Sequence, residues 1–182
     1  MLSLTVFCLT SLASYTPLQL ANYLRGSWSL TKTMQYARGG KHGTFSGTAE
    51  FAELDCDDGR SRLSYCEAGE MVLLPEETRL SASKRLLYDF GGAQGDHDNS
   101  RVVKVFFDEA PSRSPGDVLR SAKYFHDIDM TSREEVPPFK HPCGPDMYTG
   151  GIAISDAEAF VMTWKVEGPR KVGTVVSRFR RC

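Results

Sequence analysis

The sequence predicts an all-β protein, a single antiparallel barrel preceded by one short helix. Three observations predict it: hydrophobic alternation with a period of two over most of the chain, Gly/Pro/Asp punctuation between the alternating runs, and almost no helical periodicity. The 182 residues suit one domain, since a single core commonly spans about 100–200 residues. About nine or ten strands follow from the spacing, and closure into a barrel removes the edges that so many strands would otherwise expose. No internal repeat or linker divides the chain, so residues 16–182 are read as the barrel domain and 1–15 as an apolar extension.

The elements follow in order. Thr16 is placed to cap a short helix, Pro17 suits its first position, and Gly26 follows its end. Leu18, Leu20, Tyr23 and Leu24 are its expected buried side. Trp28, Leu30, Met34 and Tyr36 then alternate with Ser27, Ser29, Thr31, Thr33 and Gln35, the mark of a half-buried strand. Gly39-Gly40 turns the chain into a second strand with Phe45, Gly47, Ala49 and Phe51 in phase, ended by Asp57-Asp58-Gly59. Further strands are expected at Arg62–Ala68, Arg79–Phe90, Arg101–Phe107, Ala122–Met130, Gly151–Ile154, Phe160–Glu167 and Gly173–Arg180. Their separators are the stretch from Gly91-Gly92 to Asn99, Pro111–Asp117, Val136–Pro138 and Glu167-Gly168-Pro169.

Charge and cysteine usage exclude several function classes. Lys plus Arg number 22 against 23 for Asp plus Glu, a net charge of -1, so no basic nucleic-acid surface is expected. No apolar run approaches the ~20 residues of a membrane-spanning helix. Cys8, Cys56, Cys66, Cys143 and Cys182 are odd in number and widely spaced, which fits reduced thiols and a cytoplasmic setting. Met1–Ala13 resembles a short secretion-type apolar region but has no basic residue before Arg25, so packing on the domain is the simpler reading and secretion or mitochondrial import the alternatives.

Polar residues in phase with apolar ones point to a lined pocket rather than a filled barrel. Lys32 shares parity with Trp28 and Met34, Glu67 with Tyr65, and Arg85 with Leu87. Inward faces would bring tyrosine, carboxylate and arginine together. Trp28, Tyr65 and Trp164 are expected as apolar walls, with Phe125 and Phe106 added according to register. Arg85, Glu67, His126, His141 and Tyr148 would orient the ligand, and an acidic or carbonyl group would suit Arg85.

Gly26-Ser27-Trp28 after a short helix resembles the G-x-W opening of lipocalins and related calycin barrels. That resemblance implies that Trp28 closes one end of the barrel beneath a late basic residue, with Arg178 or Arg180 in the part. The order F-H-x-x-D (Phe125 to Asp129), H-x-C-x-x-D-x-Y (His141 to Tyr148) and W-x-x-x-G-P-x-K (Trp164 to Lys171) sharpens it. With LSYCEAGEM and SKRLLYDF, these segments are similar to an uncharacterised lipocalin-like family of unknown function across roughly Leu24 to Arg180. An insertion at Glu109–Leu119 departs from the pattern.

His141, Cys143, Asp146 and Tyr148 fall in a Pro/Gly-rich stretch expected as a stiff loop at the barrel mouth, with His126 on the preceding strand. Three uses stay open. Metal binding by His126, His141 and Asp146, with or without Cys143, has suitable ligand types but no standard spacing, so no metal or cofactor is assigned. Acid–base or nucleophilic chemistry would use His126 or His141 as base, Asp146 to orient it and Cys143 as nucleophile. Structural or binding use would have Asp146 capping loop amides. Gly168-Pro169 before Arg170-Lys171 is either an anion-binding turn or a solvated hairpin, and His42 and His97 are read as solvated. The expected partner is a small molecule held in the pocket, the alternatives being an isomerase, cyclase or hydrolase in the same cavity, or haem or nitric-oxide binding as in nitrobindin-like barrels.

Overall fold

A computed structural model describes residues 14–92, 101–109, 122–131 and 139–182. Met1–Ala13, His97, nearly all of the Glu109–Leu119 insertion, Pro111–Asp117 and Val136–Pro138 lie outside the described residues. One helix, α1 (Pro17–Leu24), precedes ten strands: β1 (Gly26–Arg38), β2 (Gly43–Leu54), β3 (Arg60–Leu73), β4 (Thr78–Gly92), β5 (Val102–Phe107), β6 (Lys123–Asp129), β7 (Phe139–Cys143), β8 (Asp146–Asp156), β9 (Ala159–Glu167) and β10 (Val172–Arg181). They form one antiparallel sheet in the order β6-β5-β4-β3-β2-β1-β10-β9-β8-β7. Sequence neighbours pair along it, and β10 returns beside β1, so the sheet curls until its edge strands β6 and β7 lie side by side.

Helix α1 is short, and it forms because both its start and its buried side are specified. Thr16 Oγ1 accepts from the Gln19 amide at 3.2 Å while Gln19 Oε1 accepts from the Thr16 amide at 2.8 Å, a reciprocal cap ahead of Pro17. Leu20, Ala21 and Leu24 are its buried residues; Leu18, expected there, is 47% exposed. The Tyr23 hydroxyl lies 3.0 Å from the carbonyls of both Asp156 and Ala159, tying the helix to the β8–β9 turn.

This helix seals one end of the barrel over Trp28. The indole Nε1–H donates to Leu24 O at 2.8 Å, and the ring packs edge-on to Phe160. Arg181 stacks its guanidinium 3.8 Å from the indole centre and donates to Arg25 O and Tyr23 O. The basic partner is thus Arg181 rather than Arg178 or Arg180. On β10 the inward parity runs Ser177, Phe179, Arg181, and the register sets Arg181 opposite Trp28, whereas Arg178 and Arg180 point to solvent.

The stretch expected as a loop around Cys143 is instead the hairpin β7–β8. Its two-residue turn begins at Gly144 with φ 61, a backbone that glycine adopts freely and that suits strand twist. Pro142 is tolerated because β7 is an edge strand. Strand β6 carries a bulge: Val105 pairs with His126 but Phe106 with Tyr124, leaving Phe125 as an extra residue. The bulge lets Phe125 and His126 both turn inward, while Tyr124, 53% exposed, meets Phe106 on the outside.

Candidate functional site

Above the Trp28 floor the barrel encloses a cavity of about 320 Å³. Eight strands, all but β2 and β5, contribute its lining. One wall is aromatic: Phe125 and Trp164 stack with centres 5.6 Å apart and planes at 22°, extended by Met162 and Phe179. The opposite wall is polar, with Lys32 from β1, Tyr65 and Glu67 from β3, and Lys84 and Tyr88 from β4. His141, Cys143 and Tyr148, from the β7–β8 hairpin, line the mouth.

Strand parity places these groups. Tyr65 and Glu67 follow Leu63 on the inward face of β3, and Lys84 shares its face with Leu86, Tyr88 and Phe90. The Lys32 ammonium and the Tyr65 hydroxyl donate to the two oxygens of Glu67, a compact three-residue network. Each of these buried polar groups has a partner, as burial demands. Burial, with the neighbouring Glu67 carboxylate, pushes the Tyr65 hydroxyl well above the usual phenol range. Lys84 stands opposite Glu67 in the β3–β4 register, yet its ammonium contacts the Phe125 ring, 5.3 Å from its centre. Burial pulls the Lys84 amine down to about 8; Glu67 opposes this and Lys32 adds to it.

The two histidines have different settings. His141 bridges the seam between the edge strands: its Nδ1–H donates to Phe125 O at 2.8 Å, meeting a carbonyl that the bulge frees. With Nδ1 carrying that proton, Nε2 is the ring's acceptor. His126 lies deeper, behind the aromatic wall, stacked on Phe139 at 4.6 Å and edge-on to Trp164. Burial pulls its pKa down to about 4, so the ring is neutral at physiological pH. Phe139 fits there because Gly150 leaves room: a Cβ at Gly150 would stand 2.5 Å from the Phe139 ring.

Tyr65, Glu67, His141, Tyr148 and Trp164 come together at the cavity. Other expectations need correction. Arg85 points outward, its side chain 47% exposed and 3.8 Å from Asp108, because β4's inward parity belongs to Lys84, Leu86 and Tyr88. Leu87, used to phase Arg85, is also on the outer face. Trp28 is sealed in the floor, 0% exposed, and is no wall of the cavity. Of the uses left open for Asp146, the capping of loop amides is the one found: its Oδ1 accepts from the Arg170 and Lys171 amides at 2.9 and 3.2 Å, and it orients no histidine. The group that the amides of that turn bind is therefore the protein's own carboxylate. His126 is buried beside the cavity rather than in its lining. Lys84 and Met162 escaped the sequence reading, although Tyr88 and Phe90 on the same parity as Lys84 carried the signal. Phe106, the alternative wall residue, faces outward.

Among the described residues no three His, Cys, Asp or Glu side chains are grouped to hold a metal, and no helix is long and apolar enough to cross a membrane.

The fold is similar to that of an S-type phycobiliprotein lyase, CPES, from Guillardia theta, with a TM-score of 0.64 over 94% of this chain and 95% of that one. Sequence identity is 8%, so the likeness establishes a shared barrel architecture and nothing about ligand. No curated protein matches the sequence. Residues 24–181, from the end of α1 through the last strand, match the family of unknown function DUF6314, and the chain belongs to that family.

Proposed function

We propose that the protein binds a small, partly apolar molecule inside the barrel. One observation carries this reading: a cavity within the barrel, open at its mouth, pairs an aromatic wall with a fixed cluster of polar side chains. Ligand sites have that composition, apolar surface for affinity and a few placed polar groups for orientation. The Lys32–Glu67–Tyr65 network supports it, since a barrel interior needing only stability would be apolar.

Fluorescence titration with the neutral dye phenylnaphthylamine, alongside native mass spectrometry of the purified protein, tests the reading. The wild-type protein is expected to take up one dye per chain. Ser177, buried on β10 opposite Lys32, lines the cavity, so Ser177→Phe fills it and abolishes uptake while the protein stays folded. Equal uptake by both proteins would place the dye elsewhere and overturn the reading.

A catalytic use of the same cavity is the second reading, favoured by His141. Its Nδ1–H is committed to Phe125 O, which leaves Nε2 as a base in a cavity that Cys143 and Tyr148 also line. If the native mass includes an organic compound, its conversion by wild-type protein and loss of conversion in His141→Gln and Cys143→Ser would establish that use. Unchanged compound after incubation would sink it.

A further inference from the structure

Resting on the reading that the cavity holds a small molecule, the balance of charge inside it speaks to what that molecule is. Glu67 is the one carboxylate among the described residues lining the cavity, whereas two ammonium groups, Lys32 and Lys84, reach it. Both Glu67 oxygens are already engaged, one by Lys32 and the other by the Tyr65 hydroxyl. Lys84, across from Glu67 in register, forms no ion pair or hydrogen bond among the described residues.

The remaining groups around it supply no counter-ion. Tyr88 on its own strand, His126 on β6, His141 and Cys143 on β7, Tyr148 on β8 and Ser177 on β10 offer hydroxyl, imidazole and thiol groups, none of them a carboxylate. At the rim the Lys171 ammonium lies 3.4 Å from the Tyr148 hydroxyl and adds further positive potential. A cavity lined with one cation in excess is unfavourable when empty of anions and complementary to a ligand that brings one. The Phe125 ring beneath Lys84 is stacked on Trp164, so the same ligand meets aromatic surface beside the ammonium.

We propose that the ligand is an amphiphilic organic monoanion, its apolar body against the Phe125–Trp164 side of the cavity and its single carboxylate or equivalent oxyanion on Lys84. A charge-assisted hydrogen bond in such a site strengthens binding about tenfold or more. Two dyes sharing one skeleton test this: anilinonaphthalene sulfonate, which is anionic, and phenylnaphthylamine, which is neutral.

The wild-type protein is expected to bind both, the anion more tightly. Lys84→Met should weaken the anionic dye about tenfold or more relative to the neutral dye, while Lys84→Arg keeps anion affinity within about threefold. The neutral dye also reports that the Lys84→Met barrel is intact. Tighter neutral than anionic binding by the wild type, or an equal effect of Lys84→Met on both dyes, overturns the monoanion while leaving the pocket standing. If the wild-type protein binds neither dye, the pocket reading and this inference fall together.

Discussion

At the scale of single residues, Lys84 and Arg181 show two opposite uses of a cation. Arg181 is fully matched: two backbone carbonyls accept from it and the Trp28 face receives its guanidinium. Arg181→Ala should therefore cost about 2 kcal/mol or more in chemical denaturation, and Arg181→Lys should recover only part, because one ammonium cannot keep the stacked, forked geometry. Lys84 has no such partners. In the folded protein its amine is pulled to about 8, against 10.5 in an unfolded chain, so folding at pH 7 carries a charged lysine in an unfavourable site. Below about 8 both states hold the proton and the cost is complete; between about 8 and 10.5 only the unfolded state holds it, and stability rises with pH. Lys84→Met is expected to be about 2–3 kcal/mol more stable than wild type at pH 7, the gap closing toward pH 10.5. Urea denaturation across that range measures it. A Lys84→Met protein no more stable than wild type would mean the lysine has a counter-ion after all.

At the scale of elements, the bulged strand β6 and the short edge strand β7 decide the inner surface. The bulge turns two consecutive residues inward, Phe125 to the cavity and His126 to the layer behind it. A regular strand would have sent one of them to solvent. The neutral His126 makes this corner acid-sensitive. Its pKa near 4 in the fold lies below the ordinary 6.5, so between those values the unfolded chain binds a proton that the native one excludes. Stability contributed by the neutral ring is present above about 6.5 and is lost as pH falls toward 4, by about 3 kcal/mol. His126→Leu should flatten that part of the stability–pH curve, as followed by denaturation at pH 7 and pH 4.5. An unchanged slope would mean that another group causes it.

At the scale of the whole molecule, one end is sealed and the middle is open. Trp28, Phe160, Phe179 and Arg181 form the floor under α1, with the Phe160 and Phe179 rings stacked 4.2 Å apart. The cavity lies between that floor and the β7–β8 hairpin, and His141 spans the seam where the sheet meets itself. This division yields a global expectation about light emission. Trp28 is sealed and Trp164 lines the cavity, so a bound dye should quench chiefly Trp164. Trp164→Phe should remove most dye-induced quenching and Trp28→Phe little of it. The reverse pattern would put the dye outside the barrel.

Much of this architecture was legible in the sequence because a period of two survives in any half-buried strand. The alternation from Trp28 to Tyr36, the Thr16–Pro17 helix start and the inward pairing of Tyr65 with Glu67 were all readable for that reason. Local pattern was ambiguous where apolar residues stand side by side. Leu86 and Leu87 satisfy either phase, and choosing the wrong one put Arg85 in the pocket in place of Lys84. Nearness in sequence also left the stretch around Cys143 open: a two-residue turn makes it a hairpin, and of the uses offered for Asp146 the capping of loop amides is the one found. By itself, then, the sequence determined an antiparallel barrel, its helix cap and a polar interior, since each depends on contacts between near neighbours. Only the tertiary structure decided which cation lacks a partner, that Phe125 and Trp164 form one wall, and that His141 bridges the seam. Those follow from register and closure across strands far apart in the chain, and no periodicity within a strand encodes them.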